Sequence, residues 1–221
     1  MKILVIGASR GIGLELVRQY RADGHAVVGT IRKDEAATRL RDLGAAALKL
    51  DLADAASCAG LGWQLDGERF DVAILNAGVH GPRLREFETP TQADFDHVMH
   101  TNVLGPMRVL PALVDLLAPG ARVAVITSAM GSIGARTQAN SWLYRASKSA
   151  ANSVTKDASL VLGSHAVCVA FHPGWVRTDM GGPNATLDVA ESVVDLRRTI
   201  AGLGAADTGR FLNHDGSPIA W

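Results

Sequence analysis

The chain has 221 residues, with 22 Lys and Arg balanced by 22 Asp and Glu for a formal net charge of zero. That length holds one α/β domain with a sizeable core and falls short of two ordinary ones, so residues 1–221 are read as a single domain. Zero net charge offers no electrostatic excess for a nucleic-acid backbone or an anionic membrane surface, and neither is expected as a partner.

Met1 to Ile6 runs straight into strand-like sequence with no basic leader and no long apolar stretch behind it, so neither a signal peptide nor a membrane span is expected. Short β-rich runs then recur at Lys2–Gly7, His25–Thr30, Ala46–Leu50, Asp71–Leu75, Ala121–Thr127 and Ala166–Phe171. Each reads as a strand buried on both faces, which predicts a parallel sheet. Between them, Gly11 to Asp23 places Ile12, Leu16 and Tyr20 on one stripe of a helix, and Tyr144 to Leu162 contains no Pro or Gly. A helix is also predicted from Thr91 through Asn102, kinked or divided by Pro106 and Pro111, and a last one over Leu187–Leu203. Gly209–Asn213 is read as a short seventh strand, followed by a polar tail ending at Trp221. Helices then cover both faces of the sheet in a doubly wound α/β fold. Cys58 and Cys168 stand far apart in apolar stretches, fitting buried thiols in a reducing compartment, so a cytoplasmic location is expected. The seven histidines show no metal-ligand spacing, and no metal is expected.

Directly after the first strand comes Gly7-Ala8-Ser9-Arg10-Gly11-Ile12-Gly13, then helical sequence. Glycines there permit a tight turn and close approach of a pyrophosphate, and the helix start supplies N–H groups and the positive end of a dipole. Arg10 and Arg32 are two cations placed where an adenosine ribose would lie, and no acidic residue ends the second strand at Gly29-Thr30-Ile31. A carboxylate there would repel a 2′-phosphate, so the arrangement favours NADP(H) over NAD, although two solvated surface arginines would look the same. Tyr144 and Lys148, spaced i and i+4, project from one helix face. A nearby ammonium is expected to lower the phenol's ordinary pKa of about 10 and fit it for proton transfer.

With its Gly-x3-Gly-x-Gly loop, Asn76-Ala77-Gly78, Tyr144-x3-Lys148 and Pro173-Gly174-Trp175-Val176-Arg177-Thr178, the sequence resembles the short-chain dehydrogenase/reductase family along essentially its whole length. The likeness is strongest to short carbonyl-reductase-like, C-factor-like and Sniffer-like members. It implies a Rossmann-type sheet of about seven strands in order 3-2-1-4-5-6-7 and a hydride transfer between nicotinamide and a small, largely apolar carbonyl or alcohol. It also implies a cofactor site made by Gly7, Ser9, Arg10, Gly11, Ile12, Gly13 and Arg32, with Asp51 and Leu52 at the adenine and Asn76, Ala77 and Gly78 beside the ribose. Tyr144 and Lys148 would reach the nicotinamide ribose, and Pro173, Gly174, Val176 and Thr178 the carboxamide. Asp51 also stands where it would cap a helix beginning near Ala53.

The resemblance assigns catalysis to Asn102, Ser128, Tyr144 and Lys148, with Ser132 a rival to Ser128, and gives the Asn102 backbone a water that links Lys148 to solvent. Ser128, Met130, Trp142 and Trp175 are the candidate substrate contacts, joined by Leu143 and Met180 and by His80 at the rim; the two tryptophans equally suit packing against the domain or a partner subunit. A homodimer or homotetramer through the helices carrying Asn102 and Tyr144 is implied. A second function class, a cofactor-binding regulatory or signalling protein with vestigial catalysis, fits the same binding motifs. The chain departs from the family pattern in three places. Ile6 replaces the usual Thr, which puts one loop hydrogen bond in doubt. Ser128 and Tyr144 are sixteen positions apart, a longer spacing that implies a larger loop over the site. The C-terminal region is short, implying a small or open lid.

Overall fold

The structure is a computed structural model and describes residues 1–84 and 87–221. Seven strands form one sheet: β1 Lys2–Ile6, β2 Ala26–Ile31, β3 Ala46–Lys49, β4 Phe70–Leu75, β5 Leu117–Ile126, β6 Ala166–His172 and β7 Phe211–Asn213. All pair in parallel, in the order β3-β2-β1-β4-β5-β6-β7, as expected. Among the described residues, eight α-helices link the strands: α1 Gly11–Ala22, α2 Ala37–Asp42, α3 Ala55–Ala59, α4 Leu61–Gln64, α5 Gln92–Met99, α6 Gly105–Leu113, α7 Trp142–Leu162 and α8 Val189–Gly202.

Alternation along each strand divides the core in two. On β1, Ile3 and Val5 face one layer with Leu16 and Val17 of α1 and Val193 and Leu196 of α8. Leu4 and Ile6 face the other, with Leu61 of α4 and Val109 and Leu113 of α6. The same parity holds for Val72 and Ile74 against Ala73 and Leu75 on β4. A one-residue slip would exchange the two sets of side chains, each worth ~1.5–3 kcal/mol when buried, so the register is firmly specified.

Three elements differ from the expectation. The helix expected over residues 91–102 continues as helical chain to Leu113: α5 is capped by Thr91, which accepts from Asp94 N–H, and joins α6 through a wide π-turn at His100–Leu104. Pro106 falls in the first turn of α6, where its missing N–H costs little, so it marks the junction without breaking it. β5 begins at Leu117, four residues early, because Pro119 and Gly120, the latter at φ +74°, are absorbed as a register shift against β4. The tail after β7 is pinned: Trp221 stacks on Phe211 at 5.4 Å, and its carbonyl accepts from Ile133 N–H at 2.8 Å.

Candidate active site

The strand order reverses direction between β1 and β4, so the chain leaving β1 turns toward one face and the chain leaving β4 toward the other. A crevice opens at the carboxyl ends of the strands at such a point. Here it is a cleft of about 750 Å³.

The loop after β1 supplies its floor. Gly7 has φ +88°, and a Cβ there would lie 2.7 Å from the backbone of Ala77; at Gly13 a Cβ would lie 2.0 Å from the Gly7 carbonyl. Only glycine fits either place. α1 starts with no side-chain cap and no acidic residue in its first turn, leaving its orphan N–H groups and positive dipole end for an anion. The replacement of threonine by Ile6 is compensated from β2: Thr30 Oγ1 accepts from Gly7 N–H at 2.9 Å, and Asn76 Nδ2 donates to the Gly7 carbonyl at 2.8 Å. Thr30 was not among the sequence candidates. Its signal was a buried hydroxyl on an otherwise apolar central strand.

Gly7, Ser9, Arg10, Gly11, Ile12, Arg32, Asp51, Leu52, Asn76, Ala77, Gly78, Tyr144, Lys148, Pro173 and Thr178 all line the cleft. Gly13 shapes it from behind, whereas Gly174 and Val176 stand back from the wall in the segment that carries Thr178. Asp51 Oδ1 accepts from Ala53 N–H at 3.0 Å, while Asp54 is the residue that caps α3. Two arginines behave differently from expectation. Arg10 pairs with Asp179 at 2.5 Å, bridging the glycine loop to the segment after β6. Arg39, on α2, lines the cleft beside Arg32 and donates to the Ser9 carbonyl at 3.3 Å. Sequence reasoning missed Arg39 because a short helix with no apolar period gave no reason to turn that side chain inward.

At the other end, Tyr144 and Lys148 are buried on the inner face of α7. Lys148 Nζ donates to the Ile126 carbonyl at 3.2 Å and lies 5.7 Å from the centre of the Tyr144 ring. A Cβ at Gly78 would approach within 3.3 Å of both Lys148 Nζ and Asn102 Oδ1, so this glycine makes room for the amine. Burial sets the protonation of both groups: the Tyr144 phenol is pushed up to about 12, partly offset by its hydrogen bond with Ser128, and the Lys148 ammonium is brought down to about 8. The expected lowering of the phenol by the ammonium does not appear: burial of the phenolate dominates, and only the Ser128 hydrogen bond opposes it.

Ser128 lies two residues past the end of β5, accepts from Met130 N–H at 3.1 Å and shares a hydrogen bond with Tyr144. Its rival Ser132 is fully buried and committed elsewhere, donating to the carbonyl of Ala220 at 2.6 Å. Asn102 lies in the π-turn, 2% exposed. Its amide grips Val79 twice, accepting from the N–H and donating to the carbonyl, both at 2.8 Å, and also donates to Ser147 at 3.0 Å.

The substrate candidates scatter. Met180 lines the cleft; Met130, Trp142 and Trp175 do not. Trp142 is 40% exposed, donates to the Glu88 carbonyl at 3.0 Å and meets Phe87 edge-on, while Trp175 donates to the Gly181 carbonyl at 3.0 Å. Their polar edges are used to fasten loops. Leu143 is buried. His80 lies against Tyr144, ring on ring. No cluster of metal-ligating side chains occurs among the described residues.

A glycine-floored crevice at the sheet's switch point, ending in a buried tyrosine and lysine on one helix, is the arrangement of a nucleotide-dependent oxidoreductase. The family described as short chain dehydrogenase matches residues 1–187, and the chain belongs to it. Among curated proteins it is similar to C-signal of Myxococcus xanthus, 42% identical over 154 residues that make up 68% of this chain and 92% of that protein. Among solved structures it is similar to the carbonyl reductase Sniffer of D. melanogaster, with a TM-score of 0.92, 32% identity and coverage of 100% and 99% of the two chains. A carbonyl reductase from Pseudomonas aeruginosa PAO1 in complex with NADP gives a TM-score of 0.89 at 30% identity, covering 100% and 99%.

Proposed function

We propose that the chain is an NADP(H)-dependent oxidoreductase acting on small, largely apolar carbonyl or alcohol compounds, with Tyr144 as the proton-transfer residue. One observation carries the reading: Lys148 and Tyr144, the latter hydrogen-bonded to Ser128, line a cleft that Arg32 and Arg39 line as well. The cradle a Cβ would fill at Gly7 and Gly13, and the uncapped start of α1, fit a pyrophosphate. The guanidinium groups of Arg32 and Arg39, with no acidic partner among the described residues, fit a 2′-phosphate, and the NADP complex of the Pseudomonas carbonyl reductase supports the same cofactor.

When bound, NADPH supplies a hydride for the carbonyl carbon. The chain's residues handle the oxygen. Tyr144, kept protonated by its burial, gives its phenolic proton to that oxygen, and the Ser128 hydroxyl polarises it from the side. The Lys148 ammonium, still mostly protonated at pH 7, then stabilises the phenolate left behind. The Asn102 backbone would hold a water that returns a proton toward Lys148. Met180 supplies apolar surface near the reacting end. Purified protein with NADPH and a panel of aldehydes, ketones and quinones is expected to turn over, and Tyr144→Phe to lower kcat by ~10²–10⁴. Full turnover in that variant would remove the role.

The similarity to C-signal favours one other reading, a cofactor-binding signalling protein with vestigial catalysis. Tight NADPH binding with no turnover across the panel would promote it. We further propose assembly through α5, α6 and α7, where Phe95, Met107, Leu160 and Val161 are exposed. Light scattering should give a dimer or tetramer that Leu160→Glu weakens.

A further inference from the structure

The imidazole of His80 stacks on the ring of Tyr144, centroids 4.5 Å apart and planes 21° from parallel. The separation and near-parallel planes are those of a stacked aromatic pair. The histidine's place is itself fixed. It follows Val79, whose N–H and carbonyl are both held by the Asn102 amide, and Asn102 is tied in turn to Ser147 on α7. A closed circuit thus runs from the π-turn through the end of β4 to one ring and from α7 to the other.

We infer that His80 is a positioning residue, holding the Tyr144 phenol in the orientation that proton transfer requires and shielding its face from water. The inference rests on Tyr144 being the proton-transfer residue. Besides His80, the groups facing the phenol are the Lys148 amine and the Ser128 hydroxyl, and neither covers the ring as an aromatic plane does. Without the stack the ring can swing, and misplacement of a reacting group by about 1 Å costs on the order of a hundredfold in rate. Burial and the cation of Arg83 lower the imidazole's own pKa, with the Gly81 carbonyl opposing. The stack is therefore between neutral rings at pH 7, and adds no charge that would pull the proton off the phenol.

The chain has two tyrosines, Tyr20 and Tyr144, so ring-labelled ¹³C-tyrosine gives two assignable sets of signals, with Tyr20 an internal check that the fold is intact. In His80→Ala the Tyr144 signals are expected to move and its ionisation to fall from about 12 toward the ordinary phenol value, while Tyr20 stays put. In His80→Phe, which keeps an aromatic plane, Tyr144 should titrate as in the wild type. With a substrate from the carbonyl panel, kcat should fall about tenfold or more in His80→Ala and recover to within about threefold in His80→Phe, with KM for NADPH unchanged in both. A Tyr144 titration unaltered in His80→Ala, or a His80→Phe variant no better than His80→Ala, overturns the inference. Wild-type turnover in Tyr144→Phe would instead overturn the catalytic reading on which it stands; an inactive Tyr144→Phe beside a fully active His80→Ala would sink the positioning role alone.

Discussion

At the scale of single residues, cofactor choice turns on which guanidinium groups are free. Arg10 is occupied by Asp179, and both are exposed, so the pair is weak and opens readily. Arg32 and Arg39 also line the cleft, with no acidic partner among the described residues. Arg39→Ala is expected to raise the Kd for NADPH about tenfold and leave NADH within about twofold, as befits one charge-assisted bond to a phosphate; equal losses for both cofactors would contradict the assignment. Lys148 gives a second prediction. Its amine sits at about 8 in the fold against an ordinary 10.5, so between those values the unfolded chain binds more protons and stability rises as pH climbs from about 8 to 10.5. Lys148→Met should lose activity, gain on the order of 2 kcal/mol at pH 7 and lose that slope, which urea titrations at several pH values would show. The candidate catalytic residues were legible because their spacing, and their places after strand ends and on one helix, are written in the chain. Arg39, Thr30 and the His80 stack were not, because each depends on which way a side chain turns once three segments meet.

At the scale of elements, the loop between Ser128 and Tyr144 is longer than the family pattern, yet it is tied down along its length. Arg145 donates to the Asn140 carbonyl at 2.8 Å, Ser149 to the Gly131 carbonyl at 2.8 Å and Ser132 to the tail. A Cβ at Gly131 would lie 2.7 Å from the Lys148 backbone, so the loop's first turn is pressed onto α7. Ser132→Ala removes a buried donor to the tail and leaves carbonyls short of a partner; about 1–3 kcal/mol of stability should go, read as a lower urea midpoint with an unchanged m value. An unaltered midpoint would mean that the tail's remaining ties, among them the Ile133 N–H to the Trp221 carbonyl, hold it without the Ser132 hydroxyl. The large elements were readable from buried strand runs and helical stripes. The short helices α2 to α4 and the π-turn were not, since elements of one or two turns carry no period and a wide turn differs from an α-turn only in which amide a carbonyl receives.

At the scale of the whole molecule, cofactor and fold are expected to be linked. NADPH at a hundredfold excess over its Kd should add about 2.7 kcal/mol of stability, with NADH giving a smaller shift at equal concentration; thermal melts with each would check this, and a preference for NADH would undo the reading of Arg32 and Arg39. The class of fold followed from the alternation of strands and helices. The exact layering followed only once the parity of each strand could be checked against the helices above and below it. The order of the strands has one more consequence. β1 is made first but lies in the middle of the sheet, between β2 and β4. While the ribosome delivers residues 7–69, β2 and β3 can zip onto one side of β1, but its other side stays bare until β4 emerges. The nascent sheet then grows outward in a single direction, each newcomer exposing a fresh apolar border until β7 arrives. Chains halted before residue 117 should therefore cling to one another or to chaperones, and chains extended past residue 213 should not.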